Sequence, residues 1–225
     1  MLLKHGLAGL THKAAGGGVT ENEVDFATVT TVDMSGNGLP TTSATGFIIA
    51  FKVKLQTRGF YLLANALDSY ITTSGSTGVL RCRVEDTGAV RLVDNVDGTT
   101  EFTVGTDISI VMSATTTAFK VVANGTTEIS ETYTTANNID IPQYVNARNS
   151  SADDGSNQHY FGVWAADSPI DAETYYSTFF DGGGVWQSGP FGGGSVGGVT
   201  PDFIETGNAA AWNALTGVVG TITDA

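Results

Sequence analysis

Cysteine is nearly absent. Cys82 is the only one in 225 residues, so no internal disulfide can form and no cysteine-based metal cluster can be built. A lone thiol points to folding in a reducing cytoplasm. Basic residues are scarce too: 10 Lys and Arg stand against 23 Asp and Glu, a net charge of −13. Such a surface repels phosphate backbones, which argues against a nucleic-acid partner. It also lacks the basic patch that would draw it to an anionic membrane. No apolar run approaches the roughly 20 residues of a membrane span. The opening MLLKHGLAGLTHKAA has the outline of a signal peptide. Lys4 and His5 break its short apolar core, so the expectation is a mature N-terminus. The histidines, His5, His12 and His159, have neither metal nor triad spacing, and no Ser, His and Asp set stands out.

What the chain has instead is Thr, Val and Gly, which favour strands and turns over helices. Its length suits one large β-sandwich or barrel with a core that needs no staples. Residues 23–34 alternate as a first strand, and 36–40 form a turn. The clearest strand is 46–55, with Phe47, Ile49, Phe51, Val53 and Leu55 on a core face. Ile48, Ala50, Lys52 and Lys54 take the other face, which begins apolar and ends wet. Short strands follow at 60–64 and 70–73. In 79–85, Leu80, Cys82 and Val84 point inward while Arg81, Arg83 and Glu85 point outward, which makes Cys82 a small core hydrophobe. A turn at 86–88 leads into a hairpin strand at 89–93. Strands are also expected at 102–104, 108–114, 118–123 and 128–133, with Asn124-Gly125 as a hairpin turn, and a short one begins at Ile139 and Ile141.

The stretch 159–184 organises the rest. A buried strand at 160–164 runs into a helix start, with Ser168 as N-cap, Pro169 at the first helical position and Asp171 closing a capping box. Tyr175, Tyr176, Phe179 and Phe180 ride on the helix, and Asp181 with three glycines stops it. Residues 182–198 are rich in glycine but carry Val185, Trp186 and Phe191, which reads as an ordered loop pinning aromatics to the body. The tail resumes strand-like patterning. The expectation is an N-terminal arm (1–20), one β-domain (21–182) and a C-terminal extension (183–225) packed on it. The arm carries Leu2, Leu3, Leu7 and Leu10 at helical spacing. It reads equally as a solvated tail and as a segment docking on a partner.

Three stretches together resemble the concanavalin A-like lectin/glucanase superfamily in its laminin-G-like form. They are residues 46–53, the 108–125 hairpin, and Gly162-Val163-Trp164 followed by Ser168-Pro169-Ile170-Asp171-Ala172-Glu173. The likeness covers roughly 24–182 and implies an all-β jelly-roll sandwich of two antiparallel sheets with one short helix near the C-terminal end. The tail, 200–213 and 220–225, is similar to the ending of laminin-G-like structural proteins of tailed bacteriophages. That resemblance implies a non-enzymatic virion protein, made in the host bacterial cytoplasm. A capsid decoration or cement protein comes first and a tail- or fibre-associated adhesin second. A free carbohydrate-binding module and a degenerate glucanase are the remaining readings. The implied partners are other virion proteins, further copies of this chain and host surface glycans.

The resemblance also directs attention to three kinds of chemistry. The superfamily's glucanases place acids at alternate strand positions so that acid and nucleophile straddle a glycosidic bond. Here Glu23-Val24-Asp25-Phe26-Ala27 lacks the third acid, so no catalytic residue is expected. Lectins and laminin-G domains often hold Ca²⁺ on loop carboxylates. Asp94 and Asp97 in one loop and Asp153 and Asp154 in another are the candidates, against the plainer reading of solvated turn residues. No other cofactor is expected. A sugar site needs an aromatic platform, for which Trp186, Tyr144 and Tyr133 are the candidates. Trp164 reads as core, and for Trp186 pinning the tail is the stronger reading than binding a ligand.

Overall fold

A computed structural model describes residues 24–25, 31–37, 39–59, 61–65, 69–134, 137–145, 147–148, 151–152, 158–166, 171–180, 203–205, 209–215, 218–219 and 223–224. The arm with Leu2, Leu3, Leu7 and Leu10 lies outside them, as do Asp153, Asp154, Ser168, Pro169 and Trp186.

The fold is a jelly-roll-like sandwich of two antiparallel sheets. Sheet A runs, edge to edge, through the strands Thr126–Thr132, Ala118–Ala123, Asp107–Thr115, Gly46–Lys54, Gln158–Ala166, Val24–Asp25 and Thr223–Asp224, with Phe203–Glu205 also paired to Gln158–Ala166. Sheet B runs Val218–Val219, Thr31–Asp33, Tyr144–Val145, Tyr61–Ala64, Tyr70–Thr73, Val79–Glu85 and Arg91–Glu101. The chain crosses between the sheets repeatedly. The single strand expected over 23–34 is therefore two short ones, the first in sheet A and the second in sheet B. The C-terminal segments close both sheets, since 223–224 pairs with 24–25 and 218–219 pairs with 31–33.

The main core fills the space between the sheets. Phe47, Ile49, Phe51 and Val53 meet Ile108, Ile110 and Met112 from sheet A and Ile71, Leu80, Cys82 and Val84 from sheet B. Trp212, on the one-turn helix Ala209–Asn213 in the tail, is fully buried in this same core. A second core lies on the outer face of sheet A. There Ile48, Ala50, Val111 and Val122 pack under Ala172, Tyr176, Phe179 and Phe180 of the helix Ala172–Phe179 and its end. Strand 46–54 is thus buried on both faces, and its second face does not end wet at Lys52. That residue is 6 % exposed and sits 4.0 Å from the Asp107 carboxylate. Gly46 opens the strand with φ 133°, and a Cβ there would come 2.1 Å from the Ala114 carbonyl oxygen.

The helix begins later than the capping-box pattern predicts. Asp171 is itself the N-cap: its Oδ1 accepts from the backbone N–H of Glu173 (2.9 Å) and Thr174 (3.4 Å). Three contacts fasten this end to sheet A. The Ala172 N–H donates to Ser113 Oγ at 2.9 Å, and Lys120 Nζ reaches Asp171 at 2.7 Å and Glu173 at 3.0 Å. The Asn124-Gly125 hairpin turn forms with φ 47° and 77°, as such a turn requires. Asn124 Oδ1 also accepts from the Ser109 N–H at 2.8 Å.

One buried acid joins the two sheet edges. Glu128, in the edge strand of sheet A, accepts from the N–H and hydroxyl of both Thr99 and Thr100 in the edge strand of sheet B, at 2.5–3.1 Å. Burial opposes its charge, but these four donors outweigh that and hold the carboxyl below its ordinary range.

Candidate functional site

The outer face of sheet B brings polar and aromatic groups together. Strand 79–85 sends Leu80, Cys82 and Val84 into the core, so Arg81 and Arg83 stand on the opposite face. The neighbouring strand sends Ile71 inward and leaves Tyr70 and Thr72 beside them, in register Tyr70 with Arg83 and Thr72 with Arg81. The Arg83 guanidinium lies 5.4 Å from the centre of the Tyr70 ring, and Tyr61 meets that ring edge-on at 5.0 Å and 82°. The Tyr70 hydroxyl donates to Asn95 Oδ1, and burial is the main cause that raises its pKa.

Strand 91–101 supplies the acids. Arg81 makes a two-point pair with Asp97, Nε to Oδ1 at 2.6 Å and Nη2 to Oδ2 at 2.9 Å. That hydrogen bond holds the Asp97 carboxyl below its usual range. Asp94 Oδ1 accepts from Arg83 Nε (3.1 Å) and Asn95 Nδ2 (2.9 Å), and its Oδ2 lies 3.4 Å from Arg91 Nη1. This corrects the placement of Asp94 and Asp97. They do not lie in a loop but in the strand Arg91–Glu101, and their carboxylates are committed to guanidinium groups. The strand survives its turn-like composition because Asn95 takes a left-handed conformation (φ 54°) and the pairing with 79–85 shifts register around it. This pair does not fit a calcium site as it stands. Among the described residues no group of three or more His, Cys, Asp or Glu is placed to hold a metal ion.

The aromatic candidates separate. Tyr144 pairs in register with Ala64 and Asp33 within sheet B, half-buried, its hydroxyl pKa raised by burial and by the charge of Asp33. Tyr133 stands just past the edge strand of sheet A. Its hydroxyl donates to the Thr115 carbonyl (2.8 Å), with the Ala118 carbonyl at 3.0 Å, so it ties down the 115–118 turn. Sequence reasoning missed Tyr61, Tyr70 and Asn95. The signal for the face was present in Arg81 and Arg83 facing Asp94 and Asp97 across an expected hairpin, a complementary cross-strand pattern.

No family model matches the chain, and no curated protein matches it. Solved structures do resemble it. The native heptameric SAP-like pentraxin from Limulus polyphemus aligns with 90 % of this chain and 89 % of its own, at 11 % identity and a TM-score of 0.47. The binding domain of Paraclostridial Mosquitocidal Protein 1 aligns with 73 % of this chain and 47 % of its own, at 10 % identity and 0.46. Botulinum neurotoxin type C, whose cell entry depends on interaction with two ganglioside molecules, aligns with 61 % of this chain and 36 % of its own, at 11 % identity and 0.41.

Proposed function

We propose that this chain is a non-enzymatic structural protein of a bacteriophage particle, a capsid decoration protein that displays a lectin-like jelly roll. The observation that carries this reading is the tail. Residues 200–213 and 220–225 resemble the ending of phage laminin-G-like structural proteins, and this same tail contributes Trp212 to the core and edge pairing to both sheets. It is part of the sandwich, which leaves residues 1–20 as the segment for attachment to the particle. Further copies of this chain and other virion proteins are the partners. The test is cryo-electron microscopy of particles from the source. The expected result is this sandwich repeated over the head, with the arm traced onto the shell. Its absence from every particle would remove the virion reading.

A second reading, an adhesin or carbohydrate-binding module, is favoured by the outer face of sheet B. Half-buried Tyr61 offers aromatic surface backed by the buried Tyr70 ring, and Arg81 and Arg83, paired with Asp97 and Asp94, stand on the same face. Binding to a glycan array that persists without residues 1–20 and disappears in Tyr61→Ala and Arg83→Ala would support it. Unchanged glycan binding in both variants would remove this face from the account.

A further inference from the structure

A second cluster lies where sheet B meets the two-stranded ribbon formed by Thr42–Ser43 and Ile139–Asp140. Asp140 is 1 % exposed, and among the described residues neither of its carboxylate oxygens has a hydrogen-bond partner. Two more carboxylates face it from sheet B: Glu85 at the end of its strand and Asp86 in the following turn, which bridges to Ile139. Both are buried. Asp86 is fully engaged, accepting from the Gly88 and Val90 N–H groups (2.8 and 3.0 Å) and from Asn137 Nδ2 (3.1 Å). Glu85 has Arg91 Nε at 3.4 Å, and Arg91 is shared with Asp94. On the ribbon's other strand, Thr42 and Ser43 carry no charge. Among the described residues Asp140 therefore faces two anions and no cation of its own.

An ionised carboxylate in such a place is opposed by burial and by both neighbours, whereas the protonated form is neutral. We propose that Asp140, buried beside Glu85 and Asp86, is a proton-binding site that seats the Thr42–Ser43/Ile139–Asp140 ribbon on sheet B in mildly acidic solution and loosens it at neutral pH. Burial first, then the charges of Glu85 and Asp86, push the Asp140 carboxyl up to about 6. A carboxyl raised on folding stabilises the fold below its unfolded value and loses that contribution as pH rises through the folded one. The window is therefore the climb from about pH 4 through about pH 6.

The experiment is urea unfolding of the full chain and of Asp140→Asn at pH 5 and pH 7.5, with a carbon-detected NMR titration of the Asp140 carboxyl in the native protein. Between those pH values the folding constant of the native protein should fall about tenfold further than that of the variant. The Asp140 carboxyl should titrate near pH 6. Parallel pH profiles, or a carboxyl titrating in the ordinary aspartate range, would overturn the proposal. So would stabilisation of the native protein, but not the variant, by millimolar Ca²⁺ that EDTA reverses, since the cluster would then hold a cation. If Asp140→Asn does not fold, the titration of the native carboxyl decides alone.

Discussion

Glu128 and Thr100 stand on different sheets, yet the Glu128 carboxylate takes both the N–H and the hydroxyl of Thr100, at 2.8 and 2.5 Å. With the same two donors from Thr99, this acid closes one side of the sandwich. Glu128→Ala should lower stability by about 2 kcal/mol, because the N–H and hydroxyl groups of Thr99 and Thr100 lose a charged acceptor. Glu128→Gln should keep part of the link. The carboxyl is held low in the folded chain, so its contribution is present above the ordinary glutamate range and is lost as pH falls below it. Urea unfolding at pH 7 and pH 3 should show the variant gap narrowing in acid.

Asp171 both caps its helix and receives Lys120. Asp171→Ala should cost about 1 kcal/mol through the lost cap, and Lys120→Ala less, as a partly exposed ion pair does. Burial opposes the Asp171 charge, yet Lys120 and the two cap N–H groups hold its carboxyl low overall. The cap contribution is thus complete at neutral pH and fades in acid. Thermal melts of both variants at pH 7 and pH 3 check this.

Cys82 is fully buried, and burial, with a smaller push from the charge of Asp97, raises its thiol far above the ordinary range. Its reaction with a thiol reagent should be undetectable in the native chain and immediate in denaturant. Rapid native labelling would mean that sheet B opens readily.

Trp212 is buried in the main core and is carried by a one-turn helix. Trp212→Ala should cost about 3–5 kcal/mol, and Trp212→Phe clearly less. A denaturation midpoint unchanged in Trp212→Ala would show that the tail is not needed for the sandwich.

Much of the fold is legible from alternation. The inward set of strand 79–85, the core face of 46–54 and the Asn124-Gly125 turn all form where the sequence predicts them. Period two reports which face a residue takes, but not what covers that face. Lys52 and Glu85 therefore read as solvent-facing, although both are buried, Lys52 near Asp107 and Glu85 near Arg91. Glu128 and Asp140 escape for the same reason, since their neighbours come from distant segments. Asp94 and Asp97 were misleading in the opposite sense. Their turn-like surroundings suggest a loop, and only cross-strand arginines show that the ladder continues. The contact of Tyr61 with the buried Tyr70 depends on register, which composition does not reveal.

The closing of both sheets by the last segments has a consequence in time. Strands 24–25 and 31–33 find their outer partners at 223–224 and 218–219, nearly a whole chain length away, and the core lacks the indole of Trp212 until that residue has been made. During synthesis the early strands must wait with unsatisfied edges while the ribosome delivers the rest. Contacts this remote in sequence slow folding and lengthen exposure to wrong partners. A ribosome-stalled chain ending near residue 182 should be sensitive to protease along sheet B and should become resistant only when the remaining segment is released.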